Sequence, residues 1–172
     1  MKAIVVFPGN HLIKRVVVKV SFFILGRALQ SASMFDPTIR KELSPWEDGY
    51  TIKMEVLPKG PVMGWRKHKG TLKYVGGSIS NANLEIRFKN LTSAFLLMTP
   101  QVGVAQGFAE NRMSVKGDLS HSIVFVRILN VVISYLYPDF IANRLLKEIP
   151  PLPYRKYYRR AYLYLIGIPF GK

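Results

Sequence analysis

The sequence predicts an α+β fold in which apolar helices cover one face of a mainly antiparallel sheet. Residues 84–89 alternate between apolar and charged side chains, a pattern typical of a strand with one buried face and one wet face. Residues 119–136 are apolar on nearly all sides of a helix. Because such a helix must be covered all round, the apolar face of a sheet is its natural neighbour.

The N-terminal half is predicted to be one long helix followed by strands. Asn10 is a suitable N-cap for a helix that begins near His11, fades by Ser33 and ends at Asp36-Pro37. Residues 37–49 are predicted to form a short helix or loop. Period-2 alternation then predicts three strands, at 50–56, 64–75 and 83–89.

The C-terminal half is predicted to alternate between helices and one more strand. Asn90 can cap a helix that carries Leu91, Ala94, Phe95 and Met98 on one face. The pattern then predicts a short helix over 101–109, a strand over 112–116, a helix over 119–136 that Asp118 caps and Pro138 stops, and helical residues over 139–148.

Composition limits the classes of function. The 172 residues are 49% apolar and 20% charged, which suits one domain with a sizeable core. Cysteine is absent, so disulfides, thiolate metal sites and a cysteine nucleophile are excluded. The net charge of +15 favours contact with phospholipid or nucleic acid, although simple solubility is an alternative explanation.

No pattern indicates catalysis or a metal site. The three histidines lie far apart in sequence and lack the spacing of metal ligands. Ser120 and His121 are neighbours on a predicted helix, where side chains diverge by about 100°, so they do not form a dyad. No Walker or GxSxG motif is present. We therefore expect neither enzymatic activity nor a cofactor.

The segment 154–162 interleaves bases with aromatic rings, and three interpretations remain open. Tyr158, Tyr162 and Leu165 could cover exposed core, the rings could lie at a membrane interface, or they could stack on nucleic-acid bases. The candidate membrane- or anion-binding residues are Lys14, Arg15, Lys19, Arg155, Lys156, Arg159 and Arg160. Residues 119–136 are nearly long enough to span a membrane, but Arg127 among them favours a buried helix.

Three segments together resemble the sterol carrier protein type 2 family. They are residues 84–91 with Phe95-Leu96-Leu97 behind them, Ala105-Gln106-Gly107-Phe108, and Arg112 to Leu119. The last segment is similar to the family's junction between a strand and a helix at Gly-Asp. The order of elements matches over residues 12–136, and the motifs match over 84–120.

This resemblance implies five strands, helices on one side of the sheet and an apolar tunnel between them, without cofactor or catalysis. It divides the chain into a lipid-binding domain, 1–137, and a basic, aromatic extension packed on that domain, 138–172. The implied tunnel residues are Phe88, Leu91, Phe95, Met98, Phe108, Met113, Val115, Ile123, Leu129 and Val132.

The sequence thus predicts a non-catalytic module that binds or transfers a fatty acyl, sterol or isoprenoid lipid and docks on anionic membranes. We expect it in the cytoplasm, peripheral to the membrane. Two alternatives stay open: an accessory role in lipid or quinone biosynthesis, and nucleic-acid binding through the basic tail. The long apolar helix needs a partner, for which the N-terminal helix, the tail, a second copy of the chain in a dimer, or a ligand are candidates.

Overall fold

The computed structural model describes residues 11–139, 141–142 and 156–171. Its helices are α1 (His11–Phe35), α2 (Pro37–Leu43), α3 (Leu91–Met98), α4 (Val104–Ala109), α5 (Leu119–Leu136), α6 (Lys156–Tyr162) and α7 (Ile168–Phe170), with a π-helical turn at Leu163–Gly167 between the last two. Its strands are β1 (Thr51–Val56), β2 (Val62–His68), β3 (Thr71–Tyr74), β4 (Leu84–Phe88) and β5 (Met113–Lys116).

The five strands form one open sheet in the order β3-β2-β1-β4-β5. All neighbours are antiparallel except β1 and β4, which run parallel with Met54 opposite Ile86. Leu84, Ile86 and Phe88 are buried on the side that the helices cover. The predicted fold class is therefore confirmed.

The predicted single strand over 64–75 is wrong, because the chain turns back there as a hairpin. Lys69 and Gly70 both adopt a positive φ, 46° and 76°, between β2 and β3. Consecutive left-handed residues match the twist of a tight two-residue hairpin turn. The usual Asn-Gly or Asp-Gly signature is missing, since Lys69 occupies the first position, and the turn was therefore not predicted.

Helix caps explain why α3 and α5 have the predicted bounds. The Asn90 side chain accepts a hydrogen bond from the Ser93 amide at 2.8 Å, and the Asp118 side chain accepts one from the His121 amide at 3.0 Å.

The helix predicted over 101–109 is shorter than expected. It begins at Val104, after Gly103, which as the N-cap offers no side-chain bond. The predicted cap Asn10 lies outside the described residues, as does most of 139–148.

The outer face of the sheet is less exposed to solvent than the alternation of apolar and charged residues predicts. Lys53 Nζ lies 3.2 Å from a carboxylate oxygen of Glu55 and of Glu85, and both Lys53 and Glu85 are buried. Ile79 packs directly over Gly64. A Cβ atom added to residue 64 would lie only 2.5 Å from the Ile79 Cδ1 atom. Burial opposes ionisation of Glu85, but the ammonium of Lys53 and the other neighbouring cations outweigh it and lower the pKa of this carboxyl.

The C-terminal helices lie against α1 and α5. Leu163 is fully buried, and Gly167 is so close to Ser31 that a Cβ would lie 2.4 Å from the Ser31 Oγ atom. Of the three residues that could cover exposed core, Tyr158 and Leu165 are largely exposed, whereas Tyr162 is partly exposed and meets Phe35 edge-on. The predicted domain boundary after residue 137 stays a prediction.

Two arginines hold residues 156–171, hereafter the tail, in place. Arg159 Nη1 lies 3.1 Å from Asp36 Oδ2, and the Tyr135 hydroxyl donates to the same oxygen at 2.7 Å. Arg160 donates to the carbonyl oxygens of Ser134 and Tyr137, at 3.0 and 2.8 Å, where α5 ends. Free carbonyls at a helix C-terminus attract such cations. These bonds fix which side of the tail faces the domain.

Candidate functional site

An apolar cavity lies between the sheet and α5, with a volume of about 120 Å³. Strands β1, β4 and β5 form its floor, α5 its roof, α1 one wall, and the segment from α3 to α4 another. Its lining residues are Ser21, Ile24, Leu25, Met54, Leu84, Ile86, Phe88, Leu97, Met98, Val102, Gly103, Val104, Phe108, Met113, Val115, Ser122, Val126, Leu129, Ile133, Leu136 and Tyr137.

Among these lining residues the polar side chains are three hydroxyls, two of which already donate within the chain. The Ser122 hydroxyl donates to the Asp118 carbonyl at 2.7 Å, and the Tyr137 hydroxyl makes a long bond of 3.4 Å to the Met98 carbonyl. Burial, with a smaller effect of Tyr164, raises the pKa of Tyr137, so this phenol stays neutral. The cavity therefore suits an apolar guest.

An open groove adjoins the cavity on the outer side of α4 and α5. Its volume is about 390 Å³, and its lining is Val104, Ala105, Phe108, Val115, Leu119, Ser122, Ile123, Val126, Arg127 and Asn130. Five of these residues also line the cavity: Val104, Phe108, Val115, Ser122 and Val126. The two spaces are thus separated by a single layer of side chains.

Size decides what these spaces can hold. Binding sites for small molecules usually measure about 300–1,000 Å³, and an apolar cavity of about 150 Å³ accommodates a molecule the size of benzene. The cavity alone therefore fits the tip of an alkyl chain, and the groove supplies room for the rest of it. A guest longer than a few carbons must occupy both spaces, with the shared side chains displaced.

The predicted tunnel residues fall into three groups. Six line the cavity: Phe88, Met98, Phe108, Met113, Val115 and Leu129. Ile123 lines the groove alone, half-exposed. The structure places the other three outside both spaces: Leu91 faces a cleft beside His11, Arg15 and Lys59, Phe95 lies beneath the Lys14 ammonium, and Val132 is fully buried in the core.

Sequence reasoning missed the contribution of α1 and much of that of β1. Ile24 and Leu25 form a wall of the cavity, and Met54 belongs to its floor. The periodicity of both segments predicts which residues face inward. It does not predict whether those residues border an empty space. Val126, one turn from Ile123 on α5, was also missed, although it lines both spaces.

The predicted anion-binding residues are not brought together into one site. Arg159 and Arg160 point inward to groups of this chain. Arg15 donates to the Lys59 carbonyl at 3.1 Å, and Lys14 Nζ lies 3.4 Å from Thr92 Oγ1. Lys19 is exposed. Arg155 lies outside the described residues, and the Lys156 side chain is likewise not described.

No metal-binding cluster of His, Cys, Asp or Glu occurs in the described part of the chain. The His121 ring stacks on Tyr50 with 4.8 Å between the ring centroids, and its Nδ1 atom lies 3.0 Å from Asp118 Oδ1. The backbone and side-chain hydrogen bonds from His121 lower the pKa of Asp118. The pair stabilises the start of α5.

Helix α5 is also the one described helix that is long and apolar enough to cross a membrane by length and composition. Half of it is buried within the domain. Its exposed residues, among them Leu119 and Ile123, line the groove. In this fold the exposed apolar side chains Leu119 and Ile123 of α5 border the groove.

No protein-family model matches the chain, and no curated protein matches it. Solved structures are similar to it in fold. A UbiJ-SCP2 ubiquinone synthesis protein has 16% identity and a TM-score of 0.44, over 70% of this chain and 98% of its own. Sterol carrier protein 2 from Yarrowia lipolytica, in its apo form, has 16% identity and a TM-score of 0.43, over 63% of this chain and 86% of its own.

A conserved hypothetical protein from Thermus thermophilus has 15% identity and a TM-score of 0.46, over 77% of this chain and 90% of its own. These likenesses concern the fold alone.

Proposed function

We propose that the chain is a non-catalytic lipid-binding module that holds an alkyl or isoprenoid chain in the cavity and the adjoining groove. One observation carries the proposal: an apolar cavity and an apolar groove share five lining residues. Each methylene that leaves water contributes about 0.8 kcal/mol, so such a guest is held without a polar anchor. Binding therefore favours a slender apolar chain over a compact polar molecule.

The guest enters the cavity with its apolar tip, and its polar end stays in the groove. The polar side chains on the α5 side of that groove are Ser122, Arg127 and Asn130. Arg127 already pairs with Glu42, with 2.8 Å between Nη2 and Oε2. A carboxylate or phosphate headgroup would compete with Glu42 for this guanidinium, which gives amphiphiles with an anionic head a preferred orientation.

The chemistry of the lining supports binding without a reaction. The lining residues of both spaces include no His, Asp, Glu or Lys. A hydroxyl such as that of Ser122 needs an adjacent base to become a nucleophile, and its proton is already donated to a backbone carbonyl.

We place the protein in the cytoplasm, where it would exchange its guest with a membrane surface.

Nucleic-acid binding through the tail is less favoured. Arg159 and Arg160, the central cations of that segment, are engaged by Asp36 and by carbonyl groups at the end of α5. A phosphate backbone would have to displace these contacts. The lipid proposal requires no such rearrangement of the tail.

The decisive experiment is native mass spectrometry of gently purified protein, together with displacement of a fluorescent fatty acid by unlabelled lipids. We expect a bound adduct of lipid mass and saturable displacement. Val115→Trp should abolish displacement, because Val115 lines both spaces. Ser114→Trp is the matched control, since Ser114 is exposed on the same strand and lies outside both linings.

Equal binding by Val115→Trp and Ser114→Trp, with both variants folded, would show that the guest lies elsewhere. Protein that carries no adduct and displaces no probe would remove the proposal altogether.

A further inference from the structure

Helix α1 has an exposed apolar stripe on the side that faces away from the core. The stripe consists of Leu12, Val16, Val20 and Phe23, which recur at helical spacing and are all exposed. The opposite side of the helix buries Val18, Phe22 and Leu29. A contiguous exposed apolar surface of this kind marks an interaction site in a water-soluble fold.

The tail lies on the same side of α1, directly after the stripe. Arg27 follows Phe23 by four residues, and its guanidinium covers the Phe23 ring at 5.6 Å from the centroid. Gly171 lies against Arg27 and accepts a hydrogen bond from the Gln30 side chain through its carbonyl. The end of the tail therefore adjoins the last residue of the stripe.

The tail presents apolar side chains outward at this position. Leu163, Gly167 and Gly171, spaced four residues apart, are buried and form its inner side. Leu165, Ile166 and Phe170 lie on its other sides and are exposed. We call the stripe and these three residues together the docking face: Leu12, Val16, Val20, Phe23, Leu165, Ile166 and Phe170.

Inward-pointing arginines set this orientation. Arg159 and Arg160 bind Asp36 and the carbonyl end of α5, so the tail cannot rotate about its axis without losing both contacts. An extension that served only to shield core would turn its large apolar residues inward. This tail instead buries glycines and one leucine, and keeps Phe170 and Leu165 in contact with solvent.

The charge around the docking face identifies its partner. Neither α1 nor residues 156–171 contain an acidic residue, whereas Arg15 and Lys19 are exposed beside the stripe and Arg27 covers the Phe23 ring. A symmetric contact between two copies would set these like charges against each other. An anionic bilayer complements them, and it also accepts the apolar residues.

The tyrosines of the tail fit the same partner. Tyr157 and Tyr158 are the most exposed of these tyrosines and lie on α6. Tyrosine prefers the headgroup layer of a membrane, where its ring is in an apolar region and its hydroxyl is hydrated. A helix that combines basic residues with such rings lies flat in the interface.

We propose that the docking face binds the surface of an anionic phospholipid bilayer, with α1 and the tail lying in the plane of the membrane and the residues of the docking face inserted. The tail thereby becomes part of a membrane-binding surface, next to the N-terminal half of α1. This surface is separate from the cavity and the groove, so it does not depend on the identity of the guest.

The test is cosedimentation of the full chain with vesicles of phosphatidylcholine that contain phosphatidylglycerol, and with vesicles of phosphatidylcholine alone. We expect binding to the anionic vesicles and weak binding to the neutral ones. The variant Leu165→Glu/Phe170→Glu should lose about tenfold or more in vesicle affinity, because two inserted apolar side chains are replaced by charges. Val16→Glu/Val20→Glu should lose a similar factor.

The matched control is Ser78→Glu/Ser114→Glu, which changes the net charge equally at exposed positions outside the docking face. This control should retain most of its vesicle affinity. Circular dichroism and fatty-acid displacement confirm that each variant is folded. If fatty-acid displacement fails for every protein while vesicle binding follows the docking face, the carrier proposal is wrong and the membrane proposal stands.

Three results would overturn the membrane proposal. The first is vesicle binding by Leu165→Glu/Phe170→Glu equal to that of the parent chain. The second is equal binding of the parent chain to neutral and anionic vesicles. The third is a dimer, measured by light scattering, that the same variant dissociates, because the docking face would then be a contact between copies.

Discussion

The Tyr135 hydroxyl donates a 2.7 Å hydrogen bond to Asp36 Oδ2, and both groups are buried. The other carboxylate oxygen of Asp36 accepts from the Thr38 amide at 2.8 Å as the N-cap of α2. One aspartate therefore connects the start of α2, the end of α5 and, through Arg159, the tail. The roof of the cavity and the docking face are held together at this point.

Replacing Tyr135 by Phe should lower the free energy of unfolding by about 1.5–3 kcal/mol, the usual contribution of a hydrogen bond to a charged group. Urea unfolding at pH 8 measures this difference. Tyr162→Phe is the control, because Tyr162 also meets Phe35 edge-on but is partly exposed. Equal losses in the two variants would contradict the role given to the Asp36 contact.

Tyr135 should also make the protein sensitive to alkaline pH. Burial, and then the hydrogen bond to Asp36, raise the pKa of Tyr135 to about 12, from 10.0. Because the folded state holds the neutral phenol, this stabilisation is complete below about pH 10 and is lost as pH rises through about 12. The difference in unfolding free energy between the parent chain and Tyr135→Phe should therefore shrink between pH 10 and pH 12. A constant difference would be inconsistent with this assignment.

Arg160→Lys should loosen the tail while preserving charge, because an ammonium cannot reproduce the planar fork that binds several carbonyls. We expect faster amide hydrogen exchange over residues 156–171 and weaker vesicle binding. Arg127→Lys is the control, since Arg127 makes an exposed pair with Glu42. Unchanged exchange in Arg160→Lys would show that other contacts hold the tail.

Phe108→Ala should speed loading and release of a fatty acid several-fold, with a smaller change in affinity. Phe108 belongs to the layer of side chains between cavity and groove, and it is partly exposed on the short helix α4. Stopped-flow fluorescence with a fluorescent fatty acid measures both rates. The neighbouring exposed Ala109→Ser should change neither rate. Slower loading in Phe108→Ala would mean that the guest enters by another route.

Glu85→Gln should destabilise the protein at neutral pH but not in acid. Although burial raises it, the pKa of Glu85 is lowered overall by Lys53 and its neighbours, so its stabilisation is present above the unfolded pKa and disappears as pH falls through the folded value. Melting temperatures of the parent chain and Glu85→Gln should therefore differ at pH 7 and converge as the pH falls below the usual range of a glutamate carboxyl. The exposed Glu47→Gln should melt like the parent chain at both pH values.

The bounds of α3 and α5 could be predicted because each begins at a side chain that caps it. Asn90 and Asp118 bond to amides three residues later, a local interaction that depends on adjacent sequence alone. The β2–β3 hairpin could not be predicted in this way. Its turn begins with Lys69, which adopts a left-handed conformation because the strands on either side pair, and that pairing is a tertiary event.

The candidate site was predicted only in part, for a related reason. The family resemblance implied Phe88, Met113 and Val115 as tunnel residues, and periodicity places them on the inner face of β4 and β5, where they border the cavity. Whether an inner residue borders an empty space or solid packing depends on the helix above it. Val132 and Leu129 share the inner side of α5, yet Val132 is packed into the core and Leu129 lines the cavity.

Local sequence was enough to predict the class of the fold and the starts of α3 and α5, and it shows that α1 and residues 156–171 hold no acidic residue, because caps, alternation and charge are local properties. The tertiary structure decided where packing stays incomplete, which arginines turn inward and which apolar residues remain in solvent. Those features depend on distances between segments far apart in the chain. Arg159 and Asp36, separated by 123 positions, show that no local pattern records such a contact.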